Sequence, residues 1–148
     1  MSGSLTHSPA QIVAQLLVDL GLGTLPSASL TWPVYDVSLP DENDEAMCVH
    51  DTQGNIDGRD MNSGTTLEHY GIMIRLRARD HLTGYAKANA VAVALDSQVA
   101  NDAVTLDSSV YNVIALSRKS GPLNNGPEPG SSRVIFSANY IAAINQVT

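Results

Sequence analysis

The chain has 148 residues, 43% of them hydrophobic and 16% charged, so it is long enough to bury a core without a disulfide. Its formal net charge of −7 disfavours binding to nucleic acid, which requires basic side chains that neutralise phosphates. A single cysteine, Cys48, excludes an internal disulfide. The sequence shows neither a signal-peptide pattern nor an apolar run of the ~20 residues needed to cross a bilayer, so we expect neither export nor a membrane span.

The first predicted element is a helix that begins after Ser8. Ser8, Pro9 and Gln11 form a capping-box pattern with proline at the first helical position. Apolar residues then recur with helical spacing, at Ile12, Val13, Leu16, Leu17 and Leu20. Gly21 and Gly23 supply stop signals, so the pattern predicts a short amphipathic helix that buries one stripe.

Two strands are predicted next. Residues 30–38 are rich in aromatic and β-branched types, although Pro33 lacks a backbone donor and favours the edge of a sheet or a bulge. After an acidic turn at 41–45, residues 46–51 form the second predicted strand. The glycines and asparagines of 52–65 then predict a projecting polar loop.

A third strand is predicted over 69–79, because apolar and other residues alternate there with a period of two. Ile72, Ile74 and Leu76 point one way, and we expect them in the core. Met73, Arg75 and Arg77 point the other way. With Arg79 at the strand end, the arginines predict an exposed basic face; it is either simply solvated or the contact for carboxylates of a partner.

Asp80 is the predicted N-cap of a second helix that runs through residue 95. Apolar residues cover almost its whole circumference. We therefore expect the helix to be covered by its own sheet on one side and in part by an adjacent subunit on the other, with Val91 at that contact.

Strands at 110–117 and 134–144 complete the chain. Between them, residues 118–133 are rich in Gly, Pro, Asn and Ser, which predicts a long loop or an open hairpin tip that starts at Arg118 and Lys119. The sum is a single domain over 1–148 of the α+β class, in which two helices pack on one face of a mostly antiparallel sheet of about five strands.

No motif for catalysis, metal binding or cofactor binding is present. The four histidines have no partners at zinc-ligand spacing, no Gly-x-Ser-x-Gly elbow positions a serine, and no glycine-rich turn precedes a lysine. We therefore expect no enzyme and no cofactor. One alternative from another class stays open, namely a small hydrolase or ligand-binding domain whose site is assembled by tertiary contacts.

Several segments resemble phage proteins of the minor capsid or tail-terminator family. The longest is residues 69–88, with the sequence HYGIMIRLRARDHLTGYAKA. Residues 8–13, 49–59, 120–123 and 136–141 match that family in the same order, so the resemblance spans most of the chain.

This resemblance implies a tail-completion subunit of a long, non-contractile tail. Such subunits form hexameric rings that cap the tail tube, stop its growth and offer the surface on which the head docks. The implied partners are other copies, the tail tube protein and the head–tail connector, while DNA passes through the lumen without sequence-specific binding. The implied place is the virion, assembled in the host cytoplasm. A head-side neck ring is the alternative. Candidate interaction residues are Arg75, Arg77, Arg79, Val91, Arg118 and Lys119.

Overall fold

The computed structural model describes residues 5–26, 31–36, 38–40, 44–59 and 66–147. They form α1 (Pro9–Asp19), β1 (Val34–Tyr35), β2 (Ala46–Arg59), β3 (Thr66–Ala78), α2 (His81–Gln98), β4 (Asp102–Leu106), β5 (Ser109–Pro127) and β6 (Val134–Gln146). The strands make one sheet in the order β1-β2-β3-β6-β5-β4, antiparallel except for the β1–β2 pair. The predicted α+β class is confirmed, although the described residues contain six strands where about five were expected.

The start of α1 is the predicted capping box. The Ser8 hydroxyl accepts a hydrogen bond from the Gln11 backbone at 3.2 Å, and the Ser8 backbone donates to the Gln11 side chain at 2.9 Å. The backbone N–H of Ala10 also donates to Asp51 of β2, at 2.9 Å. The predicted stripe is buried at Ile12, Val13, Leu16 and Leu17, and Leu20 packs against the core while partly exposed.

Both helices pack on the same face of the sheet, as predicted. In the β2–β3 ladder Met47 lies opposite Leu76 and Val49 opposite Ile74, so these four side chains share a face. They belong to the buried cluster that also contains the inner residues of α1 and α2. Because α1 contacts both β2 and β4, which lie toward opposite edges of the strand order, the sheet curls around this helix.

The first predicted strand is much shorter than expected. Only Val34–Tyr35 pairs with β2, while residues 30 and 37 lie outside the described part of the chain. Trp32 has a φ of 51°, in the left-handed region, which interrupts an extended backbone, and Pro33 has no N–H to donate. The expected edge position is correct, because β1 is the first strand of the sheet.

The prediction of a projecting loop at 52–65 is wrong wherever the structure describes it. The strand β2 continues to Arg59 and β3 begins at Thr66, so the two form a long ribbon; residues 60–65 are not described. The register shifts between Thr52 and Asn55 and again between Ile56 and Gly58. The residues that indicated turns are thus accommodated as irregularities within a ladder.

The second helix begins after Asp80, whose carboxylate accepts from the backbone of Thr83 at 2.8 Å, and it extends to Gln98, beyond the predicted end. The strand β4 was not predicted. It is five residues long, and residues with positive φ flank it on both sides, Asn101 at 56° and Asp107 at 55°. So short a strand has little periodicity to read in the sequence.

Of the two interpretations of residues 118–133, the hairpin is confirmed. The strand β5 runs to Pro127 and pairs with β6 through four register shifts, with positive φ at Gly121 and Gly126. At the tip, the backbone of Glu128 donates to the carbonyl of Arg133 at 2.7 Å. The glycine-rich composition therefore reflects an irregular ladder, and the prediction of a loop is wrong over 118–127.

Candidate interaction surfaces

The prediction that Arg77 lies on an exposed basic face is wrong. Its side chain is 1% exposed, its Nη1 lies 3.3 Å from the Glu128 carboxylate, and its Nη2 donates to the carbonyl of Pro40. The same carboxylate binds Arg133, whose Nη1 lies 3.8 Å from Asp44. The sheet has one face covered by the two helices and one face without a helix, on which Arg77 lies. Around Arg77, that second face is covered by segments from elsewhere in the chain.

The other two arginines of β3 have different surroundings. Arg79 is 65% exposed, and its Nη2 lies 3.9 Å from the Glu45 carboxylate. Arg75 is half-buried and makes neither a hydrogen bond nor an ion pair with any residue that the structure describes. The three side chains therefore form no common basic surface.

The other three candidate interaction residues also lie in different surroundings. Val91 is 3% exposed and packs beside Ile74 and Leu76, so its side chain faces the core and not a partner. Arg118 joins β5 to the end of α2 through an ion pair with Asp96, at 3.1 Å. Lys119 is exposed on β5.

The sequence does not show which side of α2 is exposed to solvent. Five exposed residues, here called the outer α2 face, line one side of the helix: Leu82, Ala86, Asn89, Ala90 and Val93. Leu82 is 80% exposed and Val93 is 55% exposed. The near-absence of charged residues on this helix indicates that it is apolar on most sides. It does not indicate which side faces the core and which side is exposed.

The two charged side chains within α2, Lys87 and Asp96, both contact their own chain. The Nζ of Lys87 lies 5.3 Å from the centre of the Trp32 ring, and burial lowers the pKa of this lysine. Asp96 binds Arg118. The outer α2 face is therefore an uncharged, largely apolar surface on a strongly acidic chain.

One histidine is placed between a tyrosine and an aspartate. The Nδ1 of His7 lies 2.5 Å from the Tyr111 hydroxyl, and its Nε2 lies 3.2 Å from the Asp107 carboxylate. Tyr111 is fully buried, so its hydroxyl is closed to a substrate. The arrangement joins the segment before α1 to the β4–β5 turn.

An open crevice between α2, β3 and β6 is lined mainly by apolar groups such as Ile74, Val91 and Phe136, together with Ser137 and Tyr140. Burial raises the pKa of Tyr140 to about 12, which keeps the phenol protonated. No cluster of potential metal ligands occurs among the described residues. None of their helices is long and apolar enough to cross a membrane.

Comparison with known proteins identifies the family of this chain. A search of curated proteins found no match. A family model described as bacteriophage tail terminator protein matches residues 16–146, from the last turn of α1 to the end of β6. The chain therefore belongs to the bacteriophage tail terminator family, whose members are structural proteins of the virion tail.

Proposed function

We propose that this chain is the subunit of a ring that caps the tail tube, ends its growth and provides the surface on which the head docks. The family match over 16–146 carries this proposal, since a tail terminator must contact the end of the tube. The whole chain, 1–148, is the assembling unit, and its role is structural and not catalytic. The resemblance to tail-completion proteins implies a hexamer.

The outer α2 face supports self-association. A chain with a net charge of −7 repels its own copies wherever acidic surfaces meet. An uncharged helix face that carries exposed Leu82 and Val93 is a place where two copies can approach without that repulsion. The same negative charge keeps DNA from adhering to the ring as it passes through.

The β2–β3 ribbon supports contacts with a neighbouring protein. The ladder between β3 and β6 ends at the pair Tyr70 and Ala142, whereas β2 and β3 stay paired as far as Arg59 and Thr66. Beyond Tyr70 the ribbon therefore has two strands only, and such ribbons are marginally stable by themselves in water. We propose that this end rests against the tube or an adjacent copy.

Tail length in phage that lack the chain tests the proposal. Negative-stain electron microscopy should show tails of variable and excessive length without heads, because nothing stops addition of tube subunits. A plasmid that supplies the intact chain should restore uniform, head-bearing tails. Uniform tails of normal length beside unattached heads would instead assign the chain to the head side of the neck.

A further inference from the structure

Arg75 lies in the middle of the sheet face that carries no helix. In the ladder it stands directly opposite Cys48 of β2 and Ser137 of β6. His50 and Asn139 flank it diagonally on the same face, since both are opposite the residue two positions before Arg75. The ladder neighbours toward Arg77 are apolar, and none of the residues around Arg75 in the two ladders is acidic.

None of these neighbours neutralises the charge of Arg75. Burial raises the pKa of Cys48 to about 11, so the thiol keeps its proton. Burial, and next the charge of Arg75, lowers the pKa of His50, so the imidazole is neutral at pH 7. Asp36 lies near enough to influence Cys48, yet it makes no ion pair with Arg75 in the described residues.

Two polar groups on this face thus have no counterpart among the residues that the structure describes. The guanidinium presents five N–H donors and is partly removed from water, which is unfavourable for an unpaired cation. The Nε2 of His50 is buried and has no hydrogen-bond partner among the described residues. By contrast, Arg77, Arg118 and Arg133 each bind a carboxylate of their own chain.

We propose that Arg75 binds a side-chain carboxylate of a second copy of this chain, an inference that rests on the proposed ring. The planar guanidinium matches a carboxylate with two parallel hydrogen bonds. Each copy carries 15 acidic and 8 basic side chains, so it has carboxylates to spare. Asp107, for example, is 89% exposed on the β4–β5 turn, where its only described ion-pair partner is His7.

A contact between Arg75 of one copy and a carboxylate of another uses two different surfaces of the subunit, which is what each copy in a closed ring presents to its two neighbours. A phosphate of DNA is the other anion that Arg75 can attract. The net charge of −7 opposes that contact, because one unpaired arginine does not offset the repulsion of a polyanion.

Sedimentation velocity of the purified full chain over a concentration series, at low and high salt, tests the inference. Arg75→Gln removes the charge and keeps a polar side chain, while Arg75→Glu reverses it. Arg79→Glu is the matched control, because it makes the same charge change at an exposed site at the end of the same strand. Thermal melting shows that each variant folds.

Wild type should associate, and more weakly at high salt. Arg75→Gln should weaken association about tenfold and lose most of the salt dependence, Arg75→Glu should weaken it further, and Arg79→Glu should stay within about twofold of wild type. If Arg75→Glu does not fold, Arg75→Gln carries the comparison.

Association of Arg75→Gln equal to wild type overturns the inference and leaves the ring proposal standing. An equal loss in Arg79→Glu also overturns it, since any added negative charge would then suffice. Duplex DNA binding by wild type that Arg75→Gln abolishes, in a fluorescence anisotropy titration, assigns the site to phosphate instead. A wild type that stays monomeric refutes this pairing in solution, whereas the ring proposal is judged separately by tail length.

Discussion

At the scale of single residues, Glu128 is the carboxylate on which the buried charge of Arg77 depends. It is 18% exposed and contacts both Arg77, at 1%, and Arg133, at 14%. A guanidinium so deeply buried needs compensating charge and hydrogen-bond acceptors around it, and Glu128 supplies carboxylate oxygens to it in a poorly solvated site. The network thereby fastens the β5–β6 connection to β3.

Glu128→Gln should lower the free energy of unfolding by about 3 kcal/mol, since the amide keeps the shape but not the charge. Glu45→Gln is the control: its partner Arg79 is 65% exposed and 3.9 Å away, and the loss there should be below about 1 kcal/mol. Urea denaturation measures both values. Equal losses would show that Arg77 does not depend on this carboxylate.

At the scale of elements, α2 joins two surfaces of different character on one apolar helix. Its inner side is packed so closely that a Cβ added at Gly84 would lie 2.5 Å from the Phe136 ring and 3.1 Å from the Ala78 side chain. Its outer side, by contrast, carries exposed residues. The glycine at position 84 therefore serves close packing of helix on sheet, at the expense of helix propensity.

Gly84→Ala should destabilise the protein by about 2 kcal/mol, because displacement of the Phe136 ring outweighs the ~1 kcal/mol gain in helix propensity. Asn89→Ala, on the outer α2 face, should instead raise the free energy of unfolding by about 0.5 kcal/mol, because alanine has the higher helix propensity. Chemical denaturation of the two variants decides between these signs. A stabilised Gly84→Ala would mean that the ring moves aside freely.

At the scale of the whole molecule, the proposed assembly and the fold depend on different residues of the same helix. Val91 is 3% exposed and Val93 is 55% exposed, two positions apart on α2. A charge at the inner position disrupts the core, whereas a charge at the outer position changes only what can dock there.

Val93→Asp should therefore keep the wild-type melting temperature within a few degrees and fail to restore tails in phage that lack the chain. Val91→Asp, with the same change in charge, should unfold. Circular dichroism and electron microscopy of complemented phage separate the two effects. Uniform, head-bearing tails with Val93→Asp would show that the outer α2 face makes no essential contact.

Prediction from the sequence was most successful where the information is local. The capping box at Ser8, the N-cap at Asp80 and the alternation through Ile72, Ile74 and Leu76 each depend on residues a few positions apart, and the structure confirms all three. Prediction failed where glycines and asparagines were taken to end strands, at 52–59 and 118–127. Bulges absorb such residues once a neighbouring strand holds the ladder in place.

The α+β class, the two helices, the inner face of β3 and the resemblance to tail-completion proteins can all be predicted from the sequence, because periodicity, caps and motifs are properties of neighbouring residues. The burial and the ion pairs of the arginines on β3, in contrast, are visible only in the folded chain. An ion pair such as Arg77 with Glu128 joins residues far apart in the chain, and period-two alternation records which side of a strand a residue faces but not what covers that side. The same holds for Arg75, because its ladder neighbours, none of which is acidic, come from strands that are distant in the sequence.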